Sequence, residues 1–188
     1  MKKVGENDWT KQSPYDRFLY FIAPKADRYN ALTSTINKLR LNSLVININD
    51  NRHIFIFPPK QKHKRPEDAV LPFIGQDPYM FVAHYDRVED SPGANDNSIA
   101  VFHLLRVALT LGKSGKNNWM IVFTDKEELV SGEGFESQGS FSMAQKLKSW
   151  GLEKVKIFNF DACGTGDTFV FSTITNLVLA NNDGPNFT

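Results

Sequence analysis

The chain has 188 residues, of which 41% are hydrophobic and 23% are charged, a composition typical of a folded globular protein and unlike that of a disordered one. Its 22 Lys and Arg residues nearly balance its 21 Asp and Glu residues, so the formal net charge is +1. This balance provides no broad cationic surface for nucleic acids or anionic membranes. We therefore expect one domain over residues 1–188, with neither nucleic acid nor membrane as a partner.

Three features of the sequence indicate where in the cell the protein is located. The positively charged start, Met1 to Asp8, has no apolar stretch behind it, as a secretory signal would. No segment approaches the roughly 20 consecutive apolar residues of a membrane-spanning helix. Cys163 is the single cysteine, so no disulfide forms within the chain. Together these features predict a cytoplasmic protein.

The first third of the chain is predicted to form two short helices and a β-hairpin. Residues 15–41 carry apolar side chains at helical spacing, among them Leu32, Ile36 and Leu39. The runs 44–48 and 53–57 are rich in residues that favour strands, and the polar residues between them have the composition of a turn.

A basic stretch, residues 60–66, follows two prolines. Clustered Lys and Arg side chains can contact nucleic acid. The stretch has no interleaved aromatic residues, however, and this favours a solvated connector.

A β-α-β unit is predicted next. The short continuous apolar runs 79–83 and 119–123 are typical of strands covered on both faces. Between them, residues 99–111 are apolar almost all round and are followed by Gly112, which is typical of a buried helix and its end.

The same pattern then repeats. A helix is predicted over 141–150, a strand over 155–160 and one more strand over 168–172. Right-handed crossovers would place these strands in one sheet, with their carboxyl ends along a common edge. The sequence therefore predicts an α/β fold with a largely parallel sheet and a ligand site at that edge.

His84 and Asp86 follow the first of these apolar strands. Residues two apart at a strand end project to the same side, so Asp86 can reach the back of the His84 ring. This is the arrangement of a metal-binding histidine with the carboxylate that orients it. A histidine beside a turn aspartate without any metal is the plainer alternative.

Further acidic residues lie at the ends of the other predicted elements. Asp96 precedes the predicted buried helix, where a carboxylate either caps the helix or bridges two cations. Glu127 and Glu128 are neighbours after the next strand, so one can bind metal while the other faces water as a base. Asp161 follows the third strand, and the Gly-Thr-Gly run over 164–166 reads as a turn rather than a phosphate loop.

One imidazole and several carboxylates at successive strand ends suit Zn²⁺ or a similar transition metal better than Ca²⁺, whose ligands are all oxygen. Each residue has an ordinary explanation when taken alone. Their common placement favours a metal site.

At these positions the sequence resembles the M28 family of zinc peptidases. The motifs that carry the resemblance are His84-Tyr85-Asp86, Pro92-Gly93-Ala94-Asn95-Asp96-Asn97, Glu127-Glu128-Leu129 with Gly139-Ser140 downstream, and Phe158-Asn159-Phe160-Asp161. Order and spacing agree from about residue 79 to residue 164. The resemblance implies a three-layer α/β/α fold of the zinc-exopeptidase type, with a mixed, largely parallel central sheet.

The resemblance also implies the metal ligands. His84 and Asp161 would hold one zinc ion, Glu128 would hold a second, and Asp96 would bridge the two. A cis peptide bond would fall between Asp96 and Asn97.

The implied activity is that of a zinc aminopeptidase acting on peptides with a free N-terminus. Glu127 would be the general base, and Asp86 would orient His84. The alternatives are a glutaminyl cyclase-like acyltransferase, which has the same fold, and a catalytically inactive binding homologue.

One departure from the family pattern concerns the second zinc. The family completes that site with a histidine from the C-terminal part of the domain, whereas this chain has histidines only at 53, 63, 84 and 103. We therefore expect residues 1–188 to form the N-terminal portion of a single zinc-peptidase-like catalytic domain that is incomplete at its C-terminus. We also expect one zinc to bind more tightly than the second, and low activity of this chain alone.

Overall fold

The computed structural model describes residues 13–59, 65–152 and 154–164. The five strands are β1 (Asn42–Ile48), β2 (Asn51–Phe57), β3 (Tyr79–His84), β4 (Trp119–Thr124) and β5 (Lys156–Asn159). The five α-helices are α1 (Pro14–Phe21), α2 (Arg28–Lys38), α3 (Pro66–Val70), α4 (Ile99–Lys113) and α5 (Gly139–Ser149). Short 3-10 turns occur at Leu71–Phe73 and Phe135–Ser137. These elements include the predicted helix pair, the hairpin and the β-α-β units.

The strands form one mixed sheet in the order β1-β2-β4-β3-β5. The predicted hairpin pairs Asn42 with Phe57 and Ile48 with Asn51, and β2 also runs antiparallel to β4. Strands β4, β3 and β5 are mutually parallel, so four of the five strands share one direction. Because β3, β4 and β5 are parallel, their carboxyl ends lie along one edge of the sheet.

Apolar side chains leave the sheet on both faces, because successive residues of a strand point in opposite directions. In β2, Ile54 and Ile56 join the core under α1, α2 and α4, whereas Phe55 and Phe57 join the core under α3 and α5. All six residues of β4 are buried. The fold is therefore the expected three-layer α/β/α arrangement, with β4 at its centre.

Helix α4 differs in one respect from its sequence prediction. Its buried residues form a single stripe that faces the sheet: Ala100, Val101, Leu104, Leu105 and Ala108. His103 lies on the opposite side and is exposed. The helix thus buries the stripe towards the sheet and also contacts α1 through Phe102, while the side that carries His103 is open to solvent.

Some sequence predictions fall outside the described residues. They are the strand over 168–172, most of the basic stretch 60–66, and all but the first glycine of the Gly-Thr-Gly run. Among the described helices, none is both long enough and apolar enough to cross a membrane.

Candidate metal centre

Three parallel strands deliver polar residues to the same edge of the sheet. His84 ends β3 and pairs in register with Thr124, the last residue of β4. The Phe160 N–H donates to the Val82 carbonyl over 2.8 Å, which carries β5 alongside β3. Asp161 therefore follows immediately beside the end of β3.

A compact group of potential metal donors forms around His84. One ligand atom from each of His84, Asp96 and Glu128 lies within 4.8 Å of the others. His84 Nε2 is 2.9 Å from Asp96 Oδ1 and 3.6 Å from Asp161 Oδ1. All four residues predicted as metal ligands thus lie at this edge, with Asp161 bordering the group through His84.

Asp86 lies behind the histidine ring, as its spacing from His84 predicts. Its Oδ1 is 3.3 Å from His84 Nδ1, and its Oδ2 accepts a 2.9 Å hydrogen bond from the Glu128 backbone N–H. Burial tends to raise the pKa of Asp86, but its contacts with His84 and with the backbone at 127 and 128 lower it below the ordinary value. Asp86 is therefore an anion at neutral pH that lies against Nδ1 of the His84 ring.

The segment that carries Asp96 is a tight turn before α4. Gly93 has φ +56°, a left-handed conformation that favours glycine. Asp96 has extended backbone angles, and the bond between Asp96 and Asn97 is cis, as expected. Ser98 occupies the cap position of α4, so the alternative that Asp96 serves only as a helix cap is wrong. The Asn97 side-chain amide donates to the Phe160 carbonyl over 2.7 Å and links the turn to the end of β5.

Glu127 points away from its neighbour into a pocket of donors at the start of α5. Ser140 Oγ donates to Glu127 Oε2 over 2.8 Å. Gln138 Nε2 donates to the Glu127 carbonyl over 2.8 Å and to Oε1 over 3.1 Å. Burial raises the pKa of Glu127, and the Ser140 hydrogen bond partly opposes this rise. The two adjacent glutamates thus have different surroundings, and the part played by Gln138 was not evident from the sequence.

The charges around His84 favour the binding of a cation. Burial lowers the pKa of His84, but Asp161 and Asp86 outweigh burial and raise it to about 10. Burial and the charge of Asp96 raise the pKa of Glu128. In the part of the chain that the structure describes, no Lys or Arg forms an ion pair with Asp96, Glu128 or Asp161. An imidazole among several carboxylates that no Lys or Arg contacts directly is a donor set that suits zinc.

Neither of the other described histidines belongs to this group. His53 is fully buried in β2, where its Nδ1 accepts a 3.4 Å hydrogen bond from the Asp125 N–H. His103 is exposed on α4, and His63 lies outside the described residues. The expectation that the second zinc lacks a histidine ligand in this chain stays a prediction.

A buried arginine beneath the Asp96 turn was not anticipated. Arg28, at the start of α2, is 7% exposed and donates to Ser98 Oγ over 2.6 Å. No short motif signals such a residue, because its environment is created by a segment some 70 positions away in the chain.

A three-layer α/β/α fold with a histidine and several carboxylates at the carboxyl edge of its sheet defines a protein of the zinc-exopeptidase fold class. Residues 69–183, more than half of the chain, match the profile of peptidase family M28. The chain belongs to peptidase family M28.

Solved structures with a similar fold include two glutaminyl cyclases and an aminopeptidase. The cyclase of Macrostomum lignano gives a TM-score of 0.55 at 16% identity, covering 87% of this chain and 59% of that chain. The cyclase of an Acidobacteriales bacterium gives 0.55 at 16%, covering 87% and 64%. The LapA aminopeptidase of Legionella pneumophila gives 0.51 at 15%, covering 79% and 41%.

At these identities the likeness concerns the fold. The chain spans less than two thirds of the length of each of these three proteins. No curated protein matches the chain.

Proposed function

We propose that the chain forms the metal-binding part of a zinc-dependent aminopeptidase, which hydrolyses the N-terminal peptide bond of peptides. The observation that carries the proposal is the placement of Glu127. It is a half-buried carboxylate with a raised pKa, held by Ser140 and Gln138 next to a compact histidine and carboxylate group. A peptidase family with this donor set implies a peptide substrate.

His84, Asp96 and Asp161 would hold one zinc ion, and Asp96 would share a second with Glu128. The close approach of Asp96 and Asp161 to His84 Nε2 supports this assignment. Bound zinc would supply polarisation of the scissile carbonyl and a lower pKa for the attacking water. Three protein ligands at the first position leave room for water, as catalytic zinc sites do.

Glu127 would move the proton. It accepts a proton from water as the water oxygen bonds to the carbonyl carbon, and it donates that proton to the amine as the C–N bond breaks. A carboxylate held from both oxygens, by Gln138 at Oε1 and by Ser140 at Oε2, is suited to this transfer because its orientation is fixed before the substrate arrives.

Asp86 would act through His84. Its Oδ1 lies against Nδ1, so Nε2 faces Asp96 and Asp161 and would bind a cation there once that cation displaces the Nε2 proton. Its second oxygen holds the backbone of Glu128, so one carboxylate organises two of the metal ligands.

Glutaminyl cyclase activity is the second candidate, because two structures of similar fold are cyclases. In that reaction the N-terminal amine attacks the side-chain carboxamide of glutamine. A ring C–N bond forms, and ammonia leaves with the proton that the amine loses. Glu127 would carry this proton by the same transfer.

One experiment separates the candidates. The purified 188-residue chain, loaded with zinc, is incubated with two peptides that differ only in carrying Leu or Gln at the N-terminus, and the products are identified by mass spectrometry. We expect slow release of a free amino acid from the leucyl peptide, consistent with the low activity expected of this chain alone, and loss of this release after chelation of zinc or in Glu127→Gln. Loss of ammonia from the glutaminyl peptide alone would identify a cyclase. Tight zinc binding with neither reaction above a zinc-free control, even after prolonged incubation at high protein concentration, would contradict the proposal and favour a binding homologue.

A further inference from the structure

The turn that carries Asp96 rests on a residue far away in the sequence. Arg28 belongs to α2, which precedes the matched family region at 69–183. Its side chain is 7% exposed. A buried guanidinium is costly unless its charge and donors are matched by neighbours, so its surroundings indicate what holds it there.

One hydrogen bond connects Arg28 to the Asp96 turn, while its Nε and Nη1 have no hydrogen-bond partner among the described residues. Nη2 donates to Ser98 Oγ over 2.6 Å, and the same hydroxyl donates to the Gly93 carbonyl. The Ser98 N–H also donates to the Gly93 carbonyl over 3.0 Å. Gly93 and Ser98 are therefore joined below Asp96, and the junction is anchored to α2.

The guanidinium also packs directly against the turn. A methyl group on Gly93 would lie 2.6 Å from Arg28 Nη1 and 2.9 Å from the Asp96 carbonyl oxygen. On its other side the guanidinium stacks 4.1 Å from the centre of the Phe21 ring. Arg28 thus lies between α1 and the turn, in close contact with both.

The charge of Arg28 faces the candidate metal centre. Burial and the neighbouring Arg87 lower the pKa of Arg28 to about 10, whereas Asp86, Asp96 and Glu128 raise it. The side chain therefore stays protonated at neutral pH. No ion pair within 4 Å joins it to those carboxylates among the described residues, so it leaves their oxygens free for a metal.

We propose that Arg28 is a positioning residue of the metal centre, and that by anchoring Ser98 and supporting Gly93 it fixes the place of Asp96. The N-terminal helices, although outside the matched family region, would then be part of the functional site. This inference rests on the proposed metal centre, and its test uses metal binding rather than turnover.

The test is titration of Co²⁺ into the metal-free chain, with the affinity and the visible absorption of the bound ion recorded. Arg28→Met should weaken Co²⁺ binding by about 10-fold or more and change the absorption intensity, because Asp96 is no longer held in place. Removing a positive charge next to a cation site would by itself tighten binding. A decrease therefore identifies positioning, and Arg28→Lys should recover part of the loss.

Ser98→Ala provides an independent test, because it removes the link while leaving the charge of Arg28 in place. It should also weaken Co²⁺ binding. If Arg28→Met does not fold, Ser98→Ala shows whether the link from Arg28 to the turn positions Asp96. Ile36→Val, a buried change on the same helix, is the control for destabilisation of α2 and should leave Co²⁺ affinity unchanged. Circular dichroism and the Tm of each variant establish that the compared chains are folded.

Unchanged affinity and absorption in folded Arg28→Met and Ser98→Ala would overturn the inference. Failure of the unaltered chain to bind Co²⁺ would overturn both the inference and the proposed metal centre. Binding of Co²⁺ without peptide cleavage would contradict the proposed activity alone. The Co²⁺ affinities of the variants would still decide whether Arg28 positions Asp96.

Discussion

The Glu128 backbone N–H donates a 2.9 Å hydrogen bond to Asp86 Oδ2 and thereby ties the loop after β4 to the loop after β3. The other oxygen of Asp86 lies 3.3 Å from His84 Nδ1. One half-buried carboxylate therefore contacts both the ring of a predicted ligand on β3 and the backbone of a predicted ligand after β4.

Asp86→Asn tests this coupling. The substitution keeps the shape of the side chain but removes the charge that faces His84, and its amide cannot serve both partners as an acceptor. We expect zinc affinity to fall by about 10- to 100-fold, the effect of losing a residue that orients a metal ligand. Competition with a chromogenic chelator measures the affinity, and an unchanged value would show that Asp86 does not support the site.

The two adjacent glutamates should give opposite results. Glu127→Gln should leave metal content nearly unchanged and lower kcat by about 100-fold or more, the effect of losing a general base. Glu128→Ala should lose metal. Metal analysis of the two purified variants, together with peptide cleavage assays, distinguishes the roles, and the reverse result would exchange them.

Ser140 should matter for the orientation of Glu127. Its hydroxyl donates to Oε2 over 2.8 Å, so Ser140→Ala should lower kcat by about 10-fold without loss of metal. Ser142 is a matched control on the same helix, because its hydroxyl donates to the Gly139 carbonyl instead. Ser142→Ala should have little effect on kcat, and equal effects of the two changes would refute the role assigned to Ser140.

Gly139 marks a close approach between α5 and the loop after β4. An added Cβ would clash with the Asp125 carbonyl oxygen, which is backbone that cannot rotate away, and would lie 2.9 Å from His53 Cε1. Gly139→Ala should therefore destabilise the fold by about 3 kcal/mol. In Gly112→Ala the nearest atom would lie 3.4 Å away on the Pro59 ring, so its stability should change by less than about 1 kcal/mol. Urea denaturation of both variants tests the contrast.

Buried His53 should make stability depend on pH. Burial lowers its pKa from 6.5 to about 4, although the charge of Asp125 opposes the shift. Between these values the unfolded chain binds more protons than the folded one. The free energy of unfolding should therefore fall as the pH drops from 6.5 towards 4, by about 3 kcal/mol in all, and this contribution is fully present above 6.5.

His53→Asn isolates this effect, because the amide oxygen can still accept from the Asp125 N–H but the side chain does not titrate. The variant should lose that part of the decline in stability between pH 6.5 and pH 4. Urea denaturation followed by tryptophan fluorescence at several pH values measures the difference. Parallel pH profiles of the two chains would show that His53 is not the group responsible.

The sequence determined which segments form the strands and at which edge of the sheet the candidate site lies, whereas the strand order and the pairing of β2 with β4 came from the structure. Continuous apolar runs predicted β3 and β4, and the alternation of side chains along a strand placed Asp86 behind His84. The strand-end positions of Glu128 and Asp161 brought them to the same edge, because parallel strands end together. These properties follow from local periodicity and chain direction, which neighbouring residues encode.

Only the tertiary structure decided what surrounds those residues. It placed Arg28 under the Asp96 turn, Gln138 against Glu127, and His103 on the exposed side of α4. Each of these depends on which helix packs on which face, and on contacts between segments distant in the chain. The energy of burying Arg28 is set by Ser98, Gly93 and Phe21 together, and no local pattern records that combination, because side-chain burial is a property of the packed fold.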